Sequence, residues 1–265
     1  MDNRLRIGLW NCLIRFSERA DGYYAKYCVK YRELFLRESW SDFFGKRLDE
    51  LSSFDRFPEK LQTHFFNFKW NQVYDFFEFL FRVQPGLSIY KGFENDINEV
   101  LKKESSAYRC VDGNFIPITD DIELKAIEEA SDGKKTLSEP SEHIKKAKKL
   151  FSDRESPDYH NSIKESISAV ESICKVITKE ESITLGDALK KMEEEGTIDL
   201  HPALSKGFSS IYGWTSDEGG IRHSMKFGEG SDVGLEDAKF MLVAASAFVN
   251  YLKEKAIRAG ISIEA

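Results

Sequence analysis

The stretch that most constrains the fold runs from Phe240 to Leu252. Its apolar residues recur at i, i+3, i+4, i+7, i+8, i+11 and i+12, and they are Phe240, Val243, Ala244, Ala247, Phe248, Tyr251 and Leu252. These intervals place them on one face of an α-helix, whereas a strand would need every second residue to be apolar. The sequence therefore predicts a final amphipathic helix that buries this face against other helices.

A polar, glycine-rich stretch precedes this helix and contains the adjacent pair Arg222 and His223. A guanidinium can hold phosphate oxygens through two parallel hydrogen bonds, and an imidazole ionises near neutral pH and can serve as a general acid or base. Such a pair in a loop indicates a catalytic or binding site. The alternative is a structural arginine that binds helix ends beside a histidine without a function, and the residues alone leave both interpretations open.

Composition narrows the classes of protein to which the chain can belong. It has 265 residues and a formal net charge of -7, so its overall field repels nucleic acid and any RNA contact needs a local basic patch. The longest apolar runs are too short to cross a membrane, and the N-terminus lacks the apolar core of a signal peptide. The four cysteines form no CxxC pair, which predicts free thiols in the reducing cytoplasm.

Helical periodicity extends through most of the chain and predicts a mostly α protein with two helical domains. Residues 1–119 are predicted to form the first domain, residues 120–138 a helix and linker, and residues 139–258 a helical bundle. Within the first domain we expect one long aromatic helix from Pro58 to about Val83. The turn residues Asp112 and Gly113, between two apolar segments, predict a small β-hairpin near residues 108–118.

Charged and aromatic clusters outside the loop are expected to be structural. The lysines between Lys145 and Lys149 suit a solvated helix face better than a nucleic-acid patch. The aromatics from Phe65 to Phe81 follow helical intervals without an interleaved basic stripe, which favours a core over a base-stacking platform. Three further histidines have no metal-ligand spacing to other residues, so no metal and no cofactor are expected; they are His64, His143 and His201.

Motifs along the chain resemble a known pair of domains. The opening LRIGLWNCLIRF, the aromatic helix and YRCVDGNFIPIT resemble the N-terminal domain of abortive-infection proteins of the AbiJ type. The second half is similar to a HEPN domain in the segments 157–159, 162–166, 169–172, 184–189, 220–223 and 247–252.

This resemblance implies a fold, a chemistry and partners. HEPN domains are small helical bundles, usually homodimeric; many are metal-independent ribonucleases of phage defence, and others are inactive and bind RNA or a partner protein. Active members carry an arginine, a polar spacer and a histidine near the start of the last long helix. The resemblance therefore implies that His223 is the acid or base and Arg222 the phosphate clamp. Three polar residues of an earlier helix would either orient Arg222 or be solvated: Lys164, Glu165 and Glu171.

The chain departs from that pattern because Arg222 and His223 are adjacent, with no spacer between them. A spacer of suitable length separates Arg154 from His160, but this pair precedes an earlier helix. Neighbours on a regular helix point about 100° apart, so the adjacent pair needs irregular backbone to face one phosphate. Three functions stay open: a metal-independent ribonuclease, an inactive module that binds RNA or a partner, and a structural protein that docks through exposed aromatics.

Overall fold

The computed structural model describes residues 1–24, 37–50, 57–83, 89–133, 137–216 and 233–263. Packing divides the chain into two compact units, Met1–Pro117 and Ile118–Ala265. The described residues of both units are mostly helical, and one two-stranded antiparallel hairpin accompanies them, which confirms the predicted fold class. The domain limits of the sequence analysis and the HEPN-like nature of the second unit stay predictions.

The first unit consists of four α-helices, a π-helical turn, a 3₁₀ turn and the hairpin, as far as the described residues show. Helix α1 packs against α4, and α3 packs against the π-helical turn and the second strand. The elements in chain order are α1 Asn3–Tyr24, the π-helical turn Ser39–Phe43, the 3₁₀ turn Leu48–Glu50, α2 Phe57–Asn67, α3 Trp70–Val83, α4 Ile89–Lys103, β1 Arg109–Val111 and β2 Asn114–Ile116.

The prediction of one continuous helix from Pro58 to Val83 is wrong, because the chain breaks between α2 and α3. The N–H of Phe68 donates to the carbonyl of Phe65 at 3.3 Å, which closes α2 with a tight turn. The N–H of Lys69 then donates to the side-chain carbonyl of Gln72 at 2.8 Å, and this bond caps the start of α3. Neither Gly nor Pro marks the break, so the sequence signals it only weakly.

Aromatic side chains form the core of the first unit, as predicted. Five of the phenylalanines are wholly buried, and they are Phe65, Phe76, Phe77, Phe93 and Phe115. Phe16 stacks on Phe93 with ring centroids 4.1 Å apart. Tyr74 stacks on Phe115 with centroids 4.5 Å apart, which fastens the hairpin to α3. The rings thus join α1, α3, α4 and β2 in one cluster.

The hairpin is present where it was predicted, and polar side chains of α3 and α4 satisfy its backbone. Asn98 accepts a hydrogen bond from the N–H of Cys110 at 2.8 Å and donates to the carbonyl of the same residue at 2.7 Å. The carboxylate of Glu78 accepts from the N–H of Phe115 at 2.7 Å. Both turn residues have positive φ, 48° at Asp112 and 73° at Gly113, as a primed hairpin turn requires.

The second unit is a helical bundle in which one helix contacts most of the others. Helix α7 packs against α6, α8, α9 and α10, while α5 packs against α6 and α10. The helices are α5 Asp121–Ser131, α6 Ser138–Ser152, α7 Tyr159–Thr178, α8 Leu185–Glu194, α9 Pro202–Ser216 and α10 Leu235–Arg258.

Side-chain caps begin two of these helices, at Asp120 and at Thr184. The carboxylate of Asp120 accepts hydrogen bonds from the N–H groups of Ile122 and Glu123, both at 3.0 Å. The hydroxyl of Thr184 accepts from the N–H of Asp187 at 3.2 Å. Glu123 does not complete a reciprocal cap, because its carboxylate pairs with Lys239 of α10 at 2.7 Å.

The last helix is present as predicted, but the predicted buried face is largely wrong. Phe240 is 53% exposed and Ala247 is exposed, whereas Phe248 and Leu252 are buried as expected. The buried stripe instead consists of Ala238, Met241, Leu242, Ala245, Ser246, Phe248, Val249, Leu252 and Ala256. This stripe has helical spacing as good as the predicted one, and contacts with α5, α6 and α7 decide which stripe is covered.

Candidate functional site

The predicted catalytic pair Arg222 and His223 lies outside the described residues. The described chain approaches the pair through the end of α9 and leaves it at the start of α10. At the end of α9 the wholly buried Thr215 donates its hydroxyl to the carbonyl of Tyr212 at 2.8 Å. At the start of α10 the N–H of Gly234 donates to the carboxylate of Asp237 at 3.2 Å. The role of the pair stays a prediction.

The three supporting residues lie on α7 and have different surroundings. Lys164 is exposed, and among the described residues it pairs with neither Glu165 nor Glu171. Glu165 is half-buried and faces α6. Burial raises the pKa of the Cys174 thiol, and the negative charge of Glu171 makes a smaller contribution in the same direction. Glu165 thus contacts α6 and Glu171 lies near Cys174, and the supporting role of the three residues stays a prediction.

The contact of Glu165 is with His143 of α6. The Nδ1 atom of His143 lies 2.6 Å from a carboxylate oxygen of Glu165, and its Nε2 atom lies 4.0 Å from Glu139. Both members of the close pair are largely shielded, with side chains 21% and 25% exposed. A hydrogen bond of this kind to a carboxylate is stronger than one between neutral groups.

The sequence analysis missed His143, although the helical hairpin of α6 and α7 carries a signal for it. His143 and Glu165 lie at equal sequence distances on either side of Arg154. A nearby contact between the same two helices joins the hydroxyl of Ser162 to the carbonyl of Ala147 at 2.9 Å. Once two helices are expected to fold back at residues 153–158, facing residues can be paired in this way.

We expect the His143–Glu165 pair to contribute about 1–2 kcal/mol of coupling energy to the stability of the second unit, since the bond is charge-assisted and partly buried. The measurement is a double-mutant cycle of His143→Ala and Glu165→Ala by denaturant unfolding. The exposed pair Lys125 and Glu129 on α5 provides the matched control, with an expected coupling of roughly 0.3–0.5 kcal/mol. Equal coupling in the two cycles would show that shielding adds nothing to the His143 contact.

The end of α6 corrects the prediction for the lysines between Lys145 and Lys149, and the turn from α6 to α7 carries Arg154. Lys148 is 1% exposed, so the expected solvated face is wrong for this lysine, although Lys145, Lys146 and Lys149 are exposed. Arg154 lies in the turn and His160 in the first turn of α7, and both are half-buried.

Asp158 caps α7 beside His160. Its carboxylate accepts a hydrogen bond from the N–H of Asn161 at 2.9 Å. Burial by itself would raise the pKa of Asp158, but hydrogen bonds from Asn161 and the charge of His160 outweigh it and lower this pKa. The start of α7 is therefore a place where an ionised carboxylate is stabilised.

In the described part of the chain, no group of three or more His, Cys, Asp or Glu residues is arranged to hold a metal ion. Cys12, Cys110 and Cys174 are buried free thiols, as predicted, while Cys28 lies outside these residues. None of the described helices has the length and apolar character needed to cross a membrane.

Residues 1–132 match the family described as AbiJ N-terminal domain 4. The match covers the whole first unit and continues through α5 of the second. No curated protein and no solved structure matches the chain. The resemblance of the N-terminal half to AbiJ-type abortive-infection proteins is thereby confirmed, and the resemblance of the second half to a HEPN domain stays a prediction.

Proposed function

We propose that this protein is an abortive-infection effector whose second unit is a HEPN-like, metal-independent ribonuclease. The observation that carries the proposal is the match of residues 1–132 to AbiJ N-terminal domain 4, because a domain of this type indicates abortive-infection defence. The helical architecture of the second unit and the Arg222–His223 pair before its last helix support the ribonuclease part.

The proposed reaction needs a base and a fixed positive charge. His223 accepts the proton of a ribose 2′-OH as that oxygen attacks the neighbouring phosphorus, and Arg222 holds the charged phosphate oxygens. The bond from phosphorus to the 5′ oxygen breaks, and this oxygen takes a proton from water. The products are a 2′,3′-cyclic phosphate and a 5′-hydroxyl. No cofactor takes part in any of these steps.

The described supporting residues suit different roles in this scheme. The exposed ammonium group of Lys164 is available to an RNA phosphate. Glu165 is engaged with His143, and Glu171 lies further along the same helix. We also propose a homodimer, supported by the outward stripe of α10 that includes Phe240 and Ala247.

We expect the purified protein to cleave tRNA or total RNA in the presence of EDTA. The His223→Ala variant should lose about 10²–10⁴-fold of that rate, because a general acid or base contributes an effect of this size. Gel analysis of the cleaved RNA, with a test for 2′,3′-cyclic ends, measures the reaction. The control is His201→Ala, which removes an exposed histidine at the start of α9.

Two results would contradict the ribonuclease: no cleavage by the native protein, or equal cleavage by His223→Ala. Plating phage on cells that express either protein then relates the chemistry to defence. Protection that survives the loss of His223 would separate the abortive-infection role from cleavage.

The second candidate is a catalytically inactive HEPN-like module that binds RNA or a partner protein. The adjacency of Arg222 and His223 favours it, because neighbours on a regular helix diverge by about 100°. For this candidate, we expect the protein to slow the migration of RNA in gels without cleaving it. The Arg222→Ala variant should slow the RNA less.

A further inference from the structure

The π-helical turn of the first unit holds a tryptophan around which basic side chains gather; we call Trp40, Lys46, Lys60 and His64 the Trp40 cluster. Trp40 is 3% exposed, and its indole N–H donates to the carbonyl of Arg47 at 2.9 Å. The backbone N–H of Lys46 donates to the carbonyl of Trp40 at 3.0 Å. Gly45, with φ of 61°, allows the reversal that brings Lys46 back over the ring.

Two lysine side chains approach the same indole ring. The ammonium nitrogen of Lys46 lies 4.6 Å from the ring centroid, and that of Lys60 lies 5.6 Å from it. Lys60 also donates to the carbonyl of Glu50 at 3.2 Å. Among the described residues, no carboxylate pairs with either lysine, and the nearby Arg47 and Asp49 pair with each other. Within the described residues, the cluster therefore has positive charge that no carboxylate pairs with, and its contacts with Trp40 hold this charge in place.

His64 adds a third nitrogen to this group. Its Nε2 atom lies 3.0 Å from the ammonium nitrogen of Lys46. An ammonium group has no lone pair to offer, so Nε2 accepts this bond and the imidazole is neutral. Its ring also packs against Trp40 and Phe44, with centroids 5.7 and 4.9 Å away. Burial lowers the pKa of His64, and the positive charge of Lys46 makes a smaller contribution in the same direction.

We propose that the Trp40 cluster is a binding site for a phosphate group, in which the ammonium groups of Lys46 and Lys60 and a protonated His64 surround the anion. All three side chains are half-buried and so remain accessible from solvent. A phosphate oxygen accepts the hydrogen bonds that the two ammonium groups have to spare. The chemistry fits a phosphate monoester, carried by a free nucleotide or by the end of an RNA chain.

Binding of the anion is linked to protonation of His64. Among the described residues, His64 contacts the ammonium of Lys46 and the rings of Trp40 and Phe44, and the ammonium of Lys60 lies over the same Trp40 ring. The charges in this set are positive, and they disfavour the imidazolium. A bound dianion reverses this effect, so binding takes up a proton and becomes tighter as the pH falls through the ordinary range of histidine.

The test titrates the full chain with inorganic phosphate, AMP and sulfate, followed by calorimetry and by the NMR signals of the His64 ring. Sulfate is included because its charge is constant between about pH 5.5 and pH 7.5, an interval that spans about one unit either side of the usual histidine pKa. We expect sulfate to bind several-fold more tightly at the lower pH. Lys46→Met should weaken phosphate binding about tenfold or more, whereas Lys125→Met on the exposed face of α5 should not change it.

Three results would overturn the proposed phosphate site. Absence of binding, equal binding by Lys46→Met and Lys125→Met, or weaker sulfate binding at the lower pH would overturn the proposal. Should Lys46→Met lose its fold by circular dichroism, Lys60→Met replaces it, since the ammonium group of Lys60 makes one hydrogen bond, to the carbonyl of Glu50, among the described residues. Oligonucleotides with a 5′-phosphate or a 5′-hydroxyl, compared with AMP, distinguish an RNA end from a free nucleotide. The site is independent of the proposed ribonuclease.

Discussion

Replacing Phe77 by alanine is expected to destabilise the first unit by about 3–5 kcal/mol. Phe77 is wholly buried, and its ring centroid lies 5.7 Å from that of Phe93 and 6.1 Å from that of Phe115. Alanine would remove these contacts and leave a cavity bounded by α4 and β2, whose own positions depend on the same cluster. The loss would exceed the transfer free energy of the ring, since rigid neighbours fill such a cavity incompletely.

Tryptophan fluorescence during denaturant unfolding measures this effect. Of the 4 tryptophans, Trp10, Trp40 and Trp70 belong to the first unit, so fluorescence reports mainly on that unit, while circular dichroism follows both. The matched control is Ile7→Ala, because Ile7 belongs to the same unit and is 43% exposed. A loss of stability in Phe77→Ala no larger than that in Ile7→Ala would contradict the assignment of Phe77 to the core.

Local signals in the sequence predict most of the helices and the hairpin. Asp120 and Thr184 are good N-caps, and Asp112–Gly113 suits only a tight turn, so these elements begin and end where short-range chemistry directs. The break between α2 and α3 carries a weaker signal, because Lys69 stands at the N-cap position where Ser, Thr, Asp or Asn is usual, and only the side chain of Gln72 in the first turn bonds back to its N–H. A side chain that bonds backbone in this way is recognised only when the break is already known.

The polar sites were harder to predict because their partners come from distant parts of the chain. The charge of Glu165 and its place on a helix make it a candidate, but its contact with His143 depends on the register of α6 against α7. Likewise, Lys46 and His64 meet through the packing of Trp40, and no spacing in the sequence indicates a contact between them. Residue type therefore identified candidate groups, and tertiary packing decided which of them interact.

The buried face of α10 offers the clearest test of packing against sequence pattern. Periodicity alone places Phe240 on the buried face and leaves out Leu242, whereas in the structure Leu242 is wholly buried and Phe240 is 53% exposed. We expect Leu242→Ala to destabilise the second unit by about 2–5 kcal/mol, since the site is enclosed and cannot collapse fully. Phe240→Ala should cost about 1 kcal/mol or less in the isolated chain, because most of its ring is already in water.

The stability of both variants, followed by circular dichroism over a series of protein concentrations, separates packing of α10 within one chain from association of two copies. The effect of Leu242→Ala should not change on dilution, since it arises within one chain. If the outward stripe joins two copies, the effect of Phe240→Ala grows with concentration, because association adds stability by mass action. A larger loss for Phe240→Ala than for Leu242→Ala at the lowest concentration would instead restore the face predicted from sequence, because the two residues point in nearly opposite directions from the helix.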